Sequence, residues 1–336
     1  MDRTIDIHSH LFTHECAAAC SRVDADWQFS IQANERGLHY IHIRDQIIGP
    51  VRPGMFDLAA RREDMQRSRL ERHVLSVMPF AFLYHAPVSC AIAFSRLQNE
   101  MLAAAVQRHP RQFVGLATVP LQDPDAAVKE LHHAVTQLGL RGVEIGTNVQ
   151  GAYLDDPRFF PFYEAVQDLQ APILVHPQDV AGGEALNPYF LRNLIGNPLD
   201  TAIAMARLIL GGVIERFPRL RLCFVHGGGF LPYQIGRLDF AYRSRPELQG
   251  TLPKPPSEYF SSLYFDTVLF HEPAIEYLIN QVGADHVLLG TDYPFRLSDP
   301  NPVATVNRCT GLGVDERREV LGRNAQRFLN LPDDEA

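Results

Sequence analysis

Five side chains in this sequence have types and positions that suit shared chemistry. His8 and His10 stand two apart in Ile5-Asp6-Ile7-His8-Ser9-His10. His176 closes the run before Pro177, His226 precedes Gly227-Gly228-Gly229, and Asp292 follows Gly290-Thr291. Imidazole nitrogens with a carboxylate suit one divalent metal ion, Zn2+ first, with Mn2+, Co2+ or Fe2+ as alternatives. On an extended segment side chains alternate, so both rings of a His-x-His pair face the same way and can grip one ion. Any one of these histidines reads more simply as a structural or exposed residue. Together, gathered on one rim, they predict a metal site with room for a water, whose pKa would fall toward ~7.

Each of the five lies at the end of a short apolar run. The runs cover 5–10, 73–79, 113–119, 142–147, 172–176, 220–226, 263–267 and 286–292. Their near-continuous Val/Ile/Leu/Phe content is the pattern of strands buried on both faces of a parallel sheet. Helical stretches lie between them. Asp123-Pro124 and Asp156-Pro157 each place Pro in a first helical turn, and Asn197-Pro198 opens a long apolar helix to about 215. Further helices are read over 91–108 and 273–282, and an amphipathic tail over 315–329 is expected to pack on the outside. Eight strands with interleaved helices predict a (β/α)₈ TIM barrel, an α/β fold of one domain over residues 1–336, with reactive groups at the C-terminal strand ends. An open doubly wound sheet would want a Gly-rich turn after its first strand, where this chain has His-Ser-His. Residues 12–56 break the alternation and read as a small β insertion over the barrel mouth, with short strands at 27–31 and 38–43. Two further long loops are read at 179–197 and 242–262.

Composition narrows the partners. A net charge of −8 without a basic run speaks against nucleic acid. Five cysteines, an odd number at irregular spacing, speak against a disulfide framework and for a reducing compartment. Cys16 and Cys20 read as two small residues on one helix face. With no run of ~20 apolar residues and no signal-like start, a cytoplasmic protein away from membranes is expected.

The motifs around the five residues resemble those of the amidohydrolase superfamily, as do Val119-Pro120-Leu121-Gln122-Asp123, Pro255-Pro256-Ser257-Glu258-Tyr259 and Arg323-Asn324-Ala325. The branch most similar is that of 2-amino-3-carboxymuconate-6-semialdehyde decarboxylase and related decarboxylases. The resemblance implies His8, His10, His176 and Asp292 as metal ligands, and His226 as the acid/base group that deprotonates a metal-bound water. It implies Arg52 and Arg237 as binders of substrate carboxylates, Arg237 across the interface of a homodimer. Many amidohydrolases bridge two metals with a carboxylated Lys after strand four. Here that stretch is Gly142-Val143-Glu144-Ile145-Gly146, which implies one metal and leaves Glu144 a structural or hydrogen-bonding role, with an inward-facing, binding role as the alternative. Gln178 departs from the family, which often carries an aromatic residue there. Phe82 is expected near the pocket, His85 as an exposed loop residue in preference to a pocket wall, and Asp239 to pair with an Arg. The implied function is a metal-dependent, non-oxidative decarboxylase of a small unsaturated or aromatic carboxylic acid. The alternatives are a lactone or ester hydrolase or a hydratase of the same superfamily, and beyond these a degenerate barrel serving as a binding protein.

Overall fold

The computed structural model of the chain describes residues 3–250 and 252–332. The expected domain of 1–336 therefore includes residues 1, 2, 251 and 333–336, which lie outside the described residues. All eight expected strands form: β1 (Ile5–His10), β2 (Arg72–Ser76), β3 (Phe113–Ala117), β4 (Gly142–Gly146), β5 (Ile173–His176), β6 (Leu222–Phe224), β7 (Leu263–Asp266) and β8 (Val287–Leu288). They pair in chain order in one eight-stranded sheet. The sheet closes on itself beyond β8. Ile7 N donates to Leu289 O (2.8 Å), Asp292 N to His8 O (3.0 Å) and His10 N to Tyr293 O (2.8 Å). The result is a TIM barrel, and among the described residues no helix is long and apolar enough to cross a membrane.

The apolar strand runs serve two faces, as a parallel sheet buried on both sides requires. Outward-facing residues such as Leu75, Phe113, Val143 and Phe224 pack under the surrounding helices. Inward-facing Ile5, Val74, Leu116, Leu174, Val225 and Leu288 fill the barrel. The C-terminal tail differs from the expectation of an outside location. Ala325, Phe328 and Leu329 are fully buried against the interior residues and stop the lower end of the barrel. Asn324 Nδ2 donates to the carbonyls of Ala284 and Val287 (2.7 Å each), fixing the tail at the start of β8. The tail is amphipathic, but the open end of a barrel is itself an apolar surface and takes the buried face. Replacing Ile5 by Val inside this stack is expected to cost about 0.5–1.5 kcal/mol, read as a shift in the urea midpoint. An unchanged midpoint would mean that the stack is loosely packed.

Residues 12–56 fold as helix His14–Cys20 followed by antiparallel strands Phe29–Ala33, His39–Ile43 and Gln46–Val51. The third strand was not anticipated. It carries Gly49-Pro50, and Pro, lacking an N–H, is tolerated there because this strand lies at the sheet's edge. Thr13 caps the helix by accepting from Cys16 N (3.2 Å). Cys16 and Cys20 are buried on one face, and all five cysteines are free.

Candidate active site

The C-terminal ends of β1, β5 and the segment after β8 bring His8, His10, His176 and Asp292 together. One ligand atom from each can be chosen so that all lie within 4.8 Å of one another. The alternation expected for His8 and His10 is adjusted by a register shift in β1 between Asp6 and Ser9. This lets Ile5 and Ile7 fill the interior below while both imidazoles point inward above. The rings meet edge to face, with centroids 5.1 Å apart for His8–His10 and His8–His176 and 5.3 Å for His10–His176.

Each of these three rings has its Nδ1 engaged, which aims Nε2 at the centre. His8 Nδ1 lies 2.7 Å from Asp266 Oδ2, His10 Nδ1 2.9 Å from Val77 O, and His176 Nδ1 2.8 Å from Pro177 O. Nε2 of His8 and of His176 are buried without any hydrogen-bond partner. Buried, orphaned nitrogens of this kind call for a missing partner. Burial and the neighbouring imidazoles push His176 well below the usual histidine range. Burial also lowers His8 against the pull of Asp292 and Asp266. Both rings are therefore neutral near pH 7, as metal ligands must be. His10 moves the other way: burial opposes its charging, but the Asp292 hydrogen bond (3.2 Å) and the charge of Glu144 prevail. Burial would raise the Asp292 carboxyl, yet His8, His10 and His226 together hold it well below the carboxylate range. Three nitrogens and one carboxylate around a common point fit one divalent metal ion.

His226 belongs to the same cluster, its centroid 5.2 Å from that of His176 and its Nε2 3.7 Å from Asp292 Oδ2. It differs from the other three in two ways. Its Nδ1 has no partner, and 11% of its side chain is exposed where His8 and His10 are fully buried. His226 and Asp292 both adopt positive φ (55° and 63°), a strained conformation that persists only when the surroundings enforce it. The glycines after His226 enforce the turn. A Cβ on Gly229 would lie 2.0 Å from Pro198 O, so only glycine lets the turn sit against that helix. The helix it opens runs Leu231–Ser244.

The structure does not bring the two arginines to this cluster. Arg52 lines a separate groove of about 210 Å³ with Asp64, Arg67, Tyr293 and Asp299. Arg237 is exposed on helix Leu231–Ser244. Asp239 accepts from Ser257 N (2.9 Å) and Oγ (2.7 Å) rather than pairing with an arginine, because the Pro255-Pro256-Ser257 segment packs across its helix. Glu144 does face inward, 3.9 Å from His10 Nδ1, and burial pushes its carboxyl up to about 7. Phe82 and His85 line a cavity of about 310 Å³ at the mouth, with Trp27, Arg44, Phe80 and Gln178.

Sequence reading missed two residues that build the site. Asp266, at the end of β7, accepts from His8 Nδ1, Gly227 N (2.9 Å) and Val268 N (3.1 Å), linking a cluster histidine to the His226 turn. Its place at a strand end was a readable signal. Arg61 is fully buried and donates to Gly54 O (2.9 Å), Ser9 Oγ (3.2 Å) and His10 O, tying the insertion to β1. Nothing in the local sequence marks it.

An amidohydrolase family model (Amidohydro_2) matches residues 5–331. The chain belongs to that family. A 2-amino-3-carboxymuconate-6-semialdehyde decarboxylase from Dictyostelium discoideum is 35% identical over 277 residues, 82% of this amidohydrolase and 77% of the relative. A gamma-resorcylate decarboxylase from a Polaromonas species is 29% identical, covering 82% of this chain and 90% of its own. Among solved structures, 5-carboxyvanillate decarboxylase from Novosphingobium aromaticivorans, complexed with manganese and 4-hydroxy-3-methoxy-5-nitrobenzoic acid, superposes with a TM-score of 0.82. At 23% identity, over 98% of this chain and 96% of that one, it speaks for the shared barrel.

Proposed function

We propose that this amidohydrolase is a metal-dependent, non-oxidative carboxy-lyase for a small unsaturated or aromatic carboxylic acid. His8, His10, His176 and Asp292 hold one divalent ion, and His226 moves the proton. The observation that carries the division of labour is the state of Nδ1. It is engaged in the three histidines proposed as ligands and buried without a partner in His226, whose side chain is 11% exposed. When bound, the ion supplies Lewis acidity and charge neutralisation toward a substrate oxygen. The rest falls to the chain. His226 holds a proton on the cavity side. As the C–CO₂⁻ bond breaks, its electron pair stays on carbon, and the His226 proton fills the vacated position, giving R–H and CO₂. The aromatic walls Trp27, Phe80 and Phe82, with Phe295 5.4 Å from His10, exclude water and accept a flat conjugated acid.

Zn2+ is the first choice of ion for three imidazoles and a carboxylate, with Mn2+ next. Free cysteines favour a reducing, cytoplasmic location. Exposed Tyr233 and Phe240 on the helix of Arg237 favour a homodimer, in which Arg237 would be offered to a substrate carboxylate across the interface. The deciding experiment is a screen of purified protein for CO₂ release from hydroxybenzoates and muconate semialdehydes, with elemental analysis of the same sample. Stoichiometric CO₂ from a protein carrying about one ion per chain is expected. Ring opening of lactones or hydration of a conjugated acid without CO₂ would replace this reading with a hydrolase or hydratase.

A further inference from the structure

Asp200, in the first turn of helix Asn197–Leu210, is fully buried and has no cationic partner among the described residues. Four donors surround it. Oδ2 accepts from Thr147 Oγ1 and Asn148 Nδ2 (3.0 Å), and Oδ1 from Tyr153 OH (2.6 Å) and Ala181 N (3.1 Å). Thr147, Asn148 and Tyr153 belong to the segment after β4, and Ala181 to the segment after β5. One carboxylate thus joins two mouth loops to one helix. Asn148 extends the link, since its Nδ2 also donates to Asp179 O (2.7 Å). Asp179 in turn meets His85 Nε2 at 2.8 Å across the mouth. Gln178 and Asp179 are walls of the 310 Å³ cavity.

The geometry points to Asp200 as a positioning residue for substrate binding, acting through the loop that follows β5. Burying an unpaired carboxylate is costly, so an amide would be the cheaper occupant if it worked equally well. It does not. Each Asp200 oxygen faces one rotatable hydroxyl and one N–H donor. A hydroxyl can turn and accept from an amide NH₂, but the Ala181 N–H cannot, and Asn148 could do so only by giving up Asp179 O and Gly151 N. Only an acceptor on both sides serves the set. The anchors of His8 and His10, Asp266 and Val77, lie outside this loop, and Pro177 meets His176 at the strand end, four residues before Ala181, so Asp200 sets the cavity wall rather than the proposed metal cluster.

This inference rests on the reading that substrate enters by that cavity. Its test is Asp200→Asn in the intact enzyme, with kcat, KM, metal content and amide hydrogen exchange over residues 177–187. KM is expected to rise about tenfold, the cost of one orphaned buried donor, with kcat within about threefold and metal content unchanged. Exchange over 177–187 should quicken. Tyr153→Phe, which removes one rotatable donor and keeps the fold, should raise KM about threefold and serves if Asp200→Asn is insoluble. KM and exchange both unchanged in the soluble variants would overturn the role of Asp200, as would a fall in kcat with KM constant. Wild-type protein that turns over no carboxylic acid would instead overturn the proposed function, and the exchange result would still judge Asp200.

Discussion

Turnover by His226→Ala should fall ~10²–10⁴-fold, the contribution expected of a placed proton-transfer group, while the protein keeps its metal. The metal should remain because the four proposed ligands are held without help from His226. Three have Nδ1 anchors elsewhere, and Asp292 is fixed by the backbone bond from its N–H to His8 O. The loss should be in kcat, because on the proposed reading a small flat acid would bind against the aromatic walls, of which His226 is not one. Steady-state kinetics with elemental analysis of the same batch checks both halves. Turnover within tenfold of wild type would remove His226 from the chemistry. Loss of the ion would make it a ligand instead.

The second large effect is expected at a residue that touches no substrate. Asp266→Ala should weaken metal binding 10–100-fold, as loss of a carboxylate behind a ligating histidine typically does. Asp266 fixes the tautomer of His8 through the 2.7 Å contact and leaves Nε2 as the acceptor that would face a bound ion. The same carboxylate receives Gly227 N and Val268 N, so its removal orphans two buried donors and loosens the turn that carries His226. Competition against a chelator gives the affinity. Equal retention by variant and wild type would show that His8 is oriented by packing alone.

Much of this site was legible because its chemistry sits at strand ends. A strand buried on both faces is a solid apolar run, so a polar residue at its end stands out, as His176 and His226 do. The eight runs and their helices therefore placed the rim before any contact was known. The register shift in β1 was hidden, since strict alternation accounts for His8 and His10 but not for Ile5 and Ile7 in the same interior. Arg61 and Asp200 were hidden for another reason. Each looks like one more charged residue on a surface helix, and only the folded chain reveals that loops close over it. The tail misled because amphipathicity reports that one face is buried and not against what.

The stopper at the lower end has a consequence for biosynthesis. β1 leaves the ribosome first, yet its free edge must wait for residues 289–293, and the space beneath Ile5 must wait for Phe328 and Leu329. Until then the nascent chain is a half-open cylinder with an apolar lumen and a divided set of ligands. Contacts that span the sequence this widely form late and expose their surfaces meanwhile. A chain broken off before Ala325 would thus leave the lumen open beneath Ile5 and yield aggregated material.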